Sequence, residues 1–275
     1  MVSESKILAV VLPVYSGDSA TRFKLAIESL LCQTVPACEI IIVVDGPVSS
    51  DLDVQLYHYS ECKNIIVKRL PENVGRGAAR HAGIQMSSSK FIAIMDADDI
   101  CVSSRFEKQL KLLQDNQVDF VGSLIEEVEN ENFEHTRLRV VPEKNEDIFC
   151  LGKWRQPVNH VSLVFSKKKY EEVGGYRNLK FLEDLDFIMR ALARGMIFHN
   201  LAEVLVRVSF SITKRKFSCE FVIEEWNVLY RAYRIGYLSL LNLIVGFLAR
   251  FCIRLCPSFL LRSIYKIFFR SSAHV

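Results

Sequence analysis

The chain has 275 residues, is 50% hydrophobic and carries a net charge of +3. This composition can build a sizeable core, which excludes intrinsic disorder, and the small net charge gives no sign of a nucleic-acid partner. The eight cysteines include no CxxC pair, which predicts free thiols buried as small apolar side chains in a reducing compartment. The N-terminus lacks a basic region followed by a long apolar core, so we expect no export signal.

The first half of the sequence alternates between strand patterns and helix patterns. Short continuous apolar runs predict buried strands, and apolar residues at helical spacing predict amphipathic helices. This alternation predicts an α/β fold with a mostly parallel central sheet and helices on both faces. The predicted strands cover residues 7–12, 39–44, 65–70, 91–95 and 120–123, and the predicted helices cover residues 21–33, 51–59, 77–86 and 103–116.

The second half of the sequence is less regular. Residues 126–153 are charged and poorly periodic, which predicts loops and additions to the sheet. Residues 162–165 have a strand pattern, and a short helix pattern over residues 167–173 ends at a pair of glycines, which stop helices. Residues 183–194 place their apolar side chains on one helical face and predict an amphipathic helix.

Three carboxylates follow the fourth predicted strand, in the sequence KFIAIMDADDI. Asp96, Asp98 and Asp99 would lie at the carboxyl end of a parallel strand, where open α/β sheets bind their ligands. Carboxylates this close together raise one another's pKa values unless a cation compensates them. Oxygen ligands without His or Cys suit Mg²⁺ or Mn²⁺ rather than Zn²⁺. The same residues also suit the N-cap of the next helix, so both interpretations stay open at this point.

The C-terminal tail differs from the rest of the chain in its charge. From Trp226 to Val275 there are seven Lys or Arg and no Asp or Glu. The apolar run over residues 236–249 ends at Arg250, short of the ~20 residues needed to span a bilayer. Basic, aromatic and apolar residues follow, a mixture typical of a helix lying in the interface of an anionic membrane. Packing on the core or on a second copy is the alternative, which leaves the oligomeric state open.

Five short motifs occur in order along the chain. They are VVLPVY at residues 10–15, VVDGP at 43–47, NVGRGAARHAGI at 73–84, DADD at 96–99 and LEDLD at 182–186. In this order and at these spacings they resemble glycosyltransferase family 2, and the similarity covers about residues 5–210. The chain looks most similar to the bacterial members that build O-antigen, capsule or exopolysaccharide repeat units on a lipid carrier. The resemblance implies the GT-A fold and a nucleotide-sugar donor.

The resemblance implies donor-binding roles for residues that follow the strands. Pro13 and Tyr15 would contact the base and ribose of the nucleotide, and the Tyr15 ring could pack on uracil. Asp45 would accept a hydrogen bond from uracil, although Asp-Gly is also an ordinary turn. Arg80 would lie beside the diphosphate. A buried ion pair between Arg80 and an aspartate of DADD is the alternative, and the two roles are compatible.

The resemblance also implies a DxD motif and a catalytic acidic pair. Asp98 would bind the Mn²⁺ or Mg²⁺ that bridges the two phosphates, and Asp96 would contact the ribose or reach the metal through water. In LEDLD, Asp184 would be the general base and Glu183 its partner in the acidic pair. Without the other motifs, LEDLD would be interpreted as an exposed helix start.

Three residues that precede the strand pattern at 162–165 are candidates for the acceptor pocket. Asn159 and His160 lie in a stretch that lines this pocket in related enzymes, although an isolated histidine is more often structural. Trp154 would stack on an acceptor sugar or belong to the core.

The motifs together predict an inverting, metal-dependent transferase with a UDP-sugar donor. The favoured reaction adds glucose or galactose in β-linkage to N-acetylglucosamine-diphosphate-undecaprenol. We expect a GT-A catalytic domain over residues 1–215 and a helical, basic, membrane-associating segment over residues 216–275, peripheral at the cytoplasmic face of the inner membrane. One alternative is a nucleotidyltransferase that makes sugar nucleotides. Such an enzyme would need a glycine-rich phosphate loop after the first strand. A non-catalytic membrane scaffold is the other alternative.

Overall fold

A nine-stranded β-sheet forms the centre of the protein. The computed structural model describes residues 6–115, 117–128, 136–209 and 218–255. The strands are β1 Leu8–Val14, β2 Glu39–Asp45, β3 Ile65–Leu70, β4 Phe91–Ile94, β5 Ile100–Cys101, β6 Phe120–Val128, β7 Thr136–Arg139, β8 Val164–Ser166 and β9 Phe198–Ser209. The helices are α1 Ala20–Leu31, α2 Ser50–Ser60, α3 Arg76–Met86, α4 Arg105–Gln114, α5 Asn145–Gly152, α6 Lys167–Val173, α7 Glu183–Ala193, α8 Cys219–Arg234 and α9 Leu240–Leu255.

Most strands of the described sheet run in one direction, which confirms the predicted mostly parallel sheet. The order across the sheet is β3-β2-β1-β4-β8-β6-β9-β5, with β7 paired to β6. Strands β1 to β4 are parallel to one another, and β6 is parallel to β9. Strand β8 runs antiparallel between β4 and β6, so β6 and β9 point the same way as β1 to β4. The carboxyl ends of β1 to β4 therefore meet at one edge.

Helices cover both faces of the sheet, as the sequence predicts. Side chains alternate between the two faces along a strand, so Val11 and Ile41 pack with α3, α6 and α7. Their neighbours Val10 and Ile40 pack with α1, α2 and α4 on the other face. Helix α3 comes especially close at Gly83, where an added Cβ would lie 2.6 Å from a methyl carbon of Val11.

The main differences from the predicted elements lie after β4. Strand β5, which has two residues, has no predicted counterpart. The strand predicted over residues 120–123 extends to Val128. The strand predicted over residues 162–165 begins only at Val164, because a 3₁₀ turn occupies His160–Ser162. Helix α5 lies where loops and sheet additions are predicted, whereas β7 is such an addition. Strand β9 has no predicted counterpart. Its pairing with β6 contains register shifts, and such an irregularity interrupts the alternation of apolar and polar side chains by which a strand is predicted.

The prediction that the cysteines are buried is wrong for most of them. The seven cysteines in the described residues are free thiols, and of these Cys101 is buried and Cys62 half-buried. The other five are exposed, because they lie in loops or near helix ends rather than inside the apolar strands. The apolar character of the cysteine side chain alone is therefore not enough to predict whether a cysteine is buried.

The described part of the C-terminal segment forms helices, as predicted. Val228 and Leu229 of α8 and Leu243 of α9 belong to the same hydrophobic cluster as α7 and the sheet. Within the described residues, none of the helices has both the length and the apolar character needed to cross a bilayer. The basic and aromatic residues predicted for an interfacial helix beyond Leu255 lie outside the described residues.

A buried carboxylate at the amino end of β2 stabilises the sheet. Glu39 is 4% exposed and accepts hydrogen bonds from Lys6, Ser87 and Ser89. Although burial opposes ionisation, these donors lower the pKa of Glu39 from 4.5 to about 2. A lowered pKa in the folded state means that the stabilisation is present above pH 4.5 and is lost as the pH falls towards 2.

We expect Glu39→Gln to lower the free energy of unfolding at neutral pH by about 2–3 kcal/mol. The difference from the wild type should shrink as the pH falls towards 2, which urea denaturation at a series of pH values would measure. As a matched control, Glu28→Gln removes only an exposed pair with Lys24 and should cost less than about 0.5 kcal/mol. Equal losses for the two variants would disprove the role given to Glu39.

Candidate active site

Polar residues that follow the parallel strands come together at the carboxyl edge of the sheet. Tyr15 follows β1, Asp45 ends β2 and Asp96 follows β4. Helix α3 joins them, because Arg76 contacts Tyr15 and Arg80 pairs with Asp96. The residues to which the resemblance gives donor-binding roles therefore meet at one edge of the sheet.

Asp45 holds the loop that leads into α3. Its two carboxylate oxygens accept hydrogen bonds from the backbone N–H groups of Val74, at 2.7 Å, and Gly75, at 3.0 Å. Gly46, with a φ of 83°, brings this turn so close to Asn73 that an added Cβ would lie 2.8 Å from the Asn73 nitrogen. Asp45 is the last residue of β2 and Gly46 forms a bend directly after it, while a hydrogen bond from uracil to Asp45 stays a prediction.

Tyr15 contacts a cation and a carboxylate that have no predicted role. Arg76 Cζ is 5.5 Å from the centroid of the Tyr15 ring, within the range of a cation–π contact. Asp18 accepts a hydrogen bond from the Tyr15 backbone N–H at 2.9 Å. Burial raises the pKa of Asp18 to about 6, with a further contribution from the charge of Asp98. Arg76 lies inside the motif at residues 73–84, and Asp18 lies three residues after the motif at residues 10–15, which is the one sequence signal for them.

Asp96, Asp98 and Asp99 form the acidic group predicted after β4. Burial and the charge of Asp96 raise the pKa of Asp98, and they raise that of Asp99 more strongly. One oxygen of Asp99 accepts from the Ser209 N–H, and the other has no hydrogen-bond partner in the described residues. The helix-cap interpretation is wrong, because α4 begins only at Arg105.

The acidic group fits a divalent cation that is shared with a substrate. At Asp98, burial and repulsion by Asp96 outweigh the attraction of Arg76, so a further cation would stabilise the charged carboxylate. No group of three or more His, Cys, Asp or Glu that could hold a metal occurs in the described residues. Mg²⁺ is usually bound by one or two carboxylates together with waters and substrate phosphates. Asp98 therefore fits as a ligand of an ion that arrives with a diphosphate.

Arg80 connects the acidic group to helix α7. This residue is 2% exposed, and its guanidinium donates to Asp96 and, at 3.0 Å, to Oε1 of Glu183. Burial disfavours its charge, but Asp96 and Glu183 raise the pKa of Arg80. The predicted ion pair with an aspartate of DADD is confirmed. Glu183 is a second partner of Arg80 that no sequence pattern indicates.

Helix α7 carries Glu183 and Asp184 in its first turn. Leu182, just before it, has a φ of 60°, a left-handed conformation that costs a non-glycine residue about 1–3 kcal/mol and is typical of functional sites. Asp184 accepts from Nε2 of Gln156 at 3.1 Å and from the backbone N–H of Leu185 at 2.8 Å. Burial and the neighbouring Asp184 raise the pKa of Glu183. The acidic pair is thus half-buried and oriented, unlike an ordinary exposed helix start.

His160 lies among the same charged groups. Its Nε2 is 2.7 Å from the hydroxyl oxygen of Tyr176. Burial and the positive charge of Arg80 lower the pKa of His160 to about 4, against the attraction of Asp184 and Asp96. The imidazole is therefore neutral at pH 7 and can act as a hydrogen-bonding group beside the acidic pair.

Three other predicted site residues have no described contact with these charged groups. Pro13 is buried within β1. Asn159 is 2% exposed, and its Nδ2 donates to the Ser123 carbonyl at 2.8 Å, which fastens it to β6. Trp154 is 45% exposed, and its carbonyl accepts from Arg250 of α9. The core interpretation of Trp154 is wrong, and substrate contacts of these three residues stay predictions.

A close approach at Gly77 allows Glu183 to reach Arg80. A Cβ added at Gly77 would lie 2.8 Å from Cγ of Glu183 and 2.9 Å from its Cβ. We expect Gly77→Ala to displace Glu183 and to lower activity about tenfold or more, with a loss of about 1–3 kcal/mol in stability. Activity assays and urea denaturation would measure both effects.

The matched control for this substitution is Gly246→Ala. Gly246 also lies in a helix, but its added Cβ would meet nothing nearer than 3.6 Å, so activity and stability should be preserved. A Gly77→Ala protein with full activity would show that the position of Glu183 does not matter to the reaction.

Comparison with known proteins identifies the family. The family model described as Glycosyl transferase family 2 matches residues 9–174. Because this match spans more than half of the chain, the chain belongs to glycosyl transferase family 2. It is a glycosyltransferase, as the five motifs predict.

Two relatives and one solved structure show the extent of the similarity. UDP-Gal:alpha-D-GlcNAc-diphosphoundecaprenol beta-1,3-galactosyltransferase of Escherichia coli is 31% identical over 269 residues, covering 97% of this chain and 98% of that protein. Amylovoran biosynthesis glycosyltransferase AmsE of Erwinia amylovora is 32% identical over 212 residues, covering 76% of this chain and 79% of that protein. The structure of S. aureus TarS 1–349 in complex with UDP-GlcNAc matches with a TM-score of 0.65 at 17% identity, covering 90% of this chain and 72% of that one. This likeness confirms the predicted GT-A fold.

Proposed function

We propose that the chain transfers a hexose, galactose or glucose, from a UDP-sugar to a lipid-diphosphate-linked N-acetylglucosamine during assembly of a bacterial surface polysaccharide. The name of the E. coli relative, matched over nearly the full length of both proteins, describes a transfer of this kind. The solved neighbour in complex with UDP-GlcNAc supports a UDP-linked donor. Because a fold alone does not fix a substrate, both hexoses enter the test below.

The observation that carries this proposal is the chain of contacts from Asp96 through Arg80 to Glu183. It joins the donor-side aspartates after β4 to the acidic pair at the start of α7. A transferase can gain a large part of its rate by holding donor and acceptor in one fixed geometry. Asp184, oriented by Gln156 and next to Glu183, is well placed to serve as a base at that point.

In the proposed reaction, the acceptor hydroxyl oxygen attacks the anomeric carbon while Asp184 takes the hydroxyl proton. The bond between the anomeric carbon and the diphosphate oxygen breaks, and its electron pair leaves with UDP. One in-line displacement inverts the anomeric configuration, so an α-linked donor gives a β-linked product. A single base is sufficient because no covalent intermediate forms.

We assign the donor to the carboxyl edge of the sheet. The Tyr15 ring would pack on uracil, with Pro13 and Asp45 supporting the base-binding turns. Asp98 would hold Mn²⁺ or Mg²⁺ together with the two phosphates, and Asp96 would contact the ribose or the metal through water. When bound, this cation would offset the charge that develops on the departing diphosphate.

We assign the acceptor to the side of the acidic pair, where neutral His160 can hydrogen-bond a sugar hydroxyl. Asn159 would hold the adjoining backbone, and the exposed ring of Trp154 could stack on a sugar. Residues 1–215 would form the catalytic domain, and residues 216–275 would associate with the cytoplasmic face of the inner membrane. A lipid-linked acceptor explains why such a segment is needed.

The test is transfer from a panel of UDP-sugars to a synthetic N-acetylglucosamine-diphosphate-lipid, with Mn²⁺ or with EDTA. We expect one UDP-hexose to be used, a β-linked product, and complete loss of transfer in EDTA. Asp98→Ala should weaken Mn²⁺-dependent UDP binding by at least about 10- to 100-fold, the usual cost of losing even a residue that only orients a metal ligand. Asp115→Ala, at an exposed position after α4, should not weaken it.

Each possible failure of this test points to a different part of the proposal. Full transfer in EDTA would overturn the role of the metal. Absence of UDP binding would overturn the donor assignment. UDP binding without transfer to this lipid would overturn the acceptor assignment.

A further inference from the structure

A cleft lies between the segment that precedes α7 and the C-terminal end of α8. Its volume is about 470 Å³, and none of the proposed donor or catalytic residues lines it. Three arginines and no acidic residue contribute to its walls. The lining consists of Arg177, Asn178, Leu179, Arg231, Arg234 and Ile235.

The cleft carries an excess of positive charge. Asp186 lies in the adjoining cavity, where it already binds Arg177 at 3.0 Å and Arg190 at 2.7 Å. Arg234 contacts the hydroxyl of Tyr230. In the part of the chain that the structure describes, no carboxylate pairs with Arg231 or Arg234. Asp186 therefore pairs with only one of the three arginines that line the cleft, and the charges of Arg231 and Arg234 stay in excess.

Helix electrostatics alone do not account for this grouping. Arg231 and Arg234 lie in the last turn of α8, where the helix dipole favours cations. Arg177 comes from a different segment, keeps its side chain 43% exposed, and lines the same cleft. Guanidinium groups present planar sets of N–H donors that match phosphate oxygens in pairs. The arrangement therefore favours a phosphate group as the occupant.

An exposed apolar face follows the cleft along the chain. Ile235 lines the cleft and is 47% exposed. Helix α9 then exposes apolar side chains at helical spacing, which places them on one face. These side chains are Leu240, Leu241, Ile244, Val245 and Leu248, each between 43% and 67% exposed. Exposed apolar groups in such a cluster mark an interaction surface.

We propose that the cleft binds the phosphate of an anionic phospholipid while the apolar face of α9 inserts into the same membrane surface. Basic residues beside an exposed apolar helical face have the charge and the chemistry of an interfacial membrane helix. The cleft is not confined to the C-terminal segment, because residues 177–179 of the proposed catalytic domain also line it. The Arg177–Asp186 pair links the surface to α7, so docking fixes the orientation of the acidic pair relative to the bilayer.

The docking proposal rests on the proposed function in one respect: an enzyme with a lipid-linked acceptor has to work at a membrane. The experiment measures binding of the full chain to vesicles of phosphatidylcholine, with and without phosphatidylglycerol. The wild type should prefer the anionic vesicles. The double variant Arg231→Gln with Arg234→Gln should lose about fivefold in affinity for each arginine. Lys111→Gln, an exposed charge on α4, is the matched control and should bind as the wild type does.

A second pair of variants tests the apolar face. Leu241→Asp, at a position 67% exposed, should weaken binding to both kinds of vesicle, whereas Val54→Asp on α2, at a position 64% exposed, should not. Wild-type binding by the double arginine variant, or an equal loss in Lys111→Gln, would overturn the proposal. Transfer to a short-chain, water-soluble diphosphate acceptor should be unchanged in every variant. If the wild type fails on that acceptor while vesicle binding follows the predicted pattern, the proposed function fails and the docking surface stands.

Discussion

Replacing Asp184 with asparagine is expected to lower the rate of sugar transfer by about 100- to 10,000-fold, the usual contribution of a general base. Asparagine has nearly the same shape, and its side-chain oxygen can still accept the hydrogen bond from the Leu185 N–H or from Gln156. It cannot take the proton of the acceptor hydroxyl. UDP binding should be unchanged, because the donor lies on the other side of Arg80 in the proposed arrangement. Steady-state rates and calorimetry with UDP would separate the two effects.

A matched control is available at another helix start. Asp147 lies in the first turn of α5 and is exposed, so Asp147→Asn changes the charge at a helix N-terminus without touching the site. It should transfer sugar at the wild-type rate. If Asp184→Asn kept more than about a tenth of the wild-type rate, Asp184 would not be the base. Glu183→Gln, measured in the same assay, would then show whether its neighbour has that role.

The cluster at the carboxyl edge of the sheet, where we propose that the donor binds, could be located from the sequence because its determinants are local. Each of β1, β2 and β4 is a continuous apolar run, and a polar residue marks the point where the run ends. Parallel strands bring such ends to one edge, so Tyr15, Asp45 and Asp96 were expected together and are found together. No knowledge of distant contacts was needed for this part.

The remaining contacts could not be predicted, because they join segments far apart in the chain. Arg80 and Glu183 are separated by 103 residues, and Gln156 and Asp184 by 28. The sequence does not indicate which residue a charged side chain will pair with. The same holds for β9, whose pairing with β6 depends on register shifts that only the folded sheet defines. The arginine cleft likewise appears only when Arg177 meets the end of α8.

Replacing Arg80 with alanine is expected to lower the free energy of unfolding by about 3–5 kcal/mol, the usual cost of removing one partner from a buried ion pair. Asp96 and Glu183, with side chains 28% and 13% exposed, would lose the cation that hydrogen-bonds both of them and keep only the weaker attraction of Arg76. Urea denaturation would measure the loss. Arg69→Ala is the control, because its pair with Asp53 is more than half exposed and should contribute less than about 1 kcal/mol.

A triple variant keeps this prediction testable if Arg80→Ala does not fold. Arg80→Met combined with Asp96→Asn and Glu183→Gln removes the charges that Arg80 compensates, so most of the lost stability should return. If Arg80→Ala were as stable as Arg69→Ala, Arg80 would not be compensating these two carboxylates. If the triple variant regains stability but not sugar transfer, the three charges are retained for the reaction. A neutral site would then be compatible with the fold and incompatible with the chemistry.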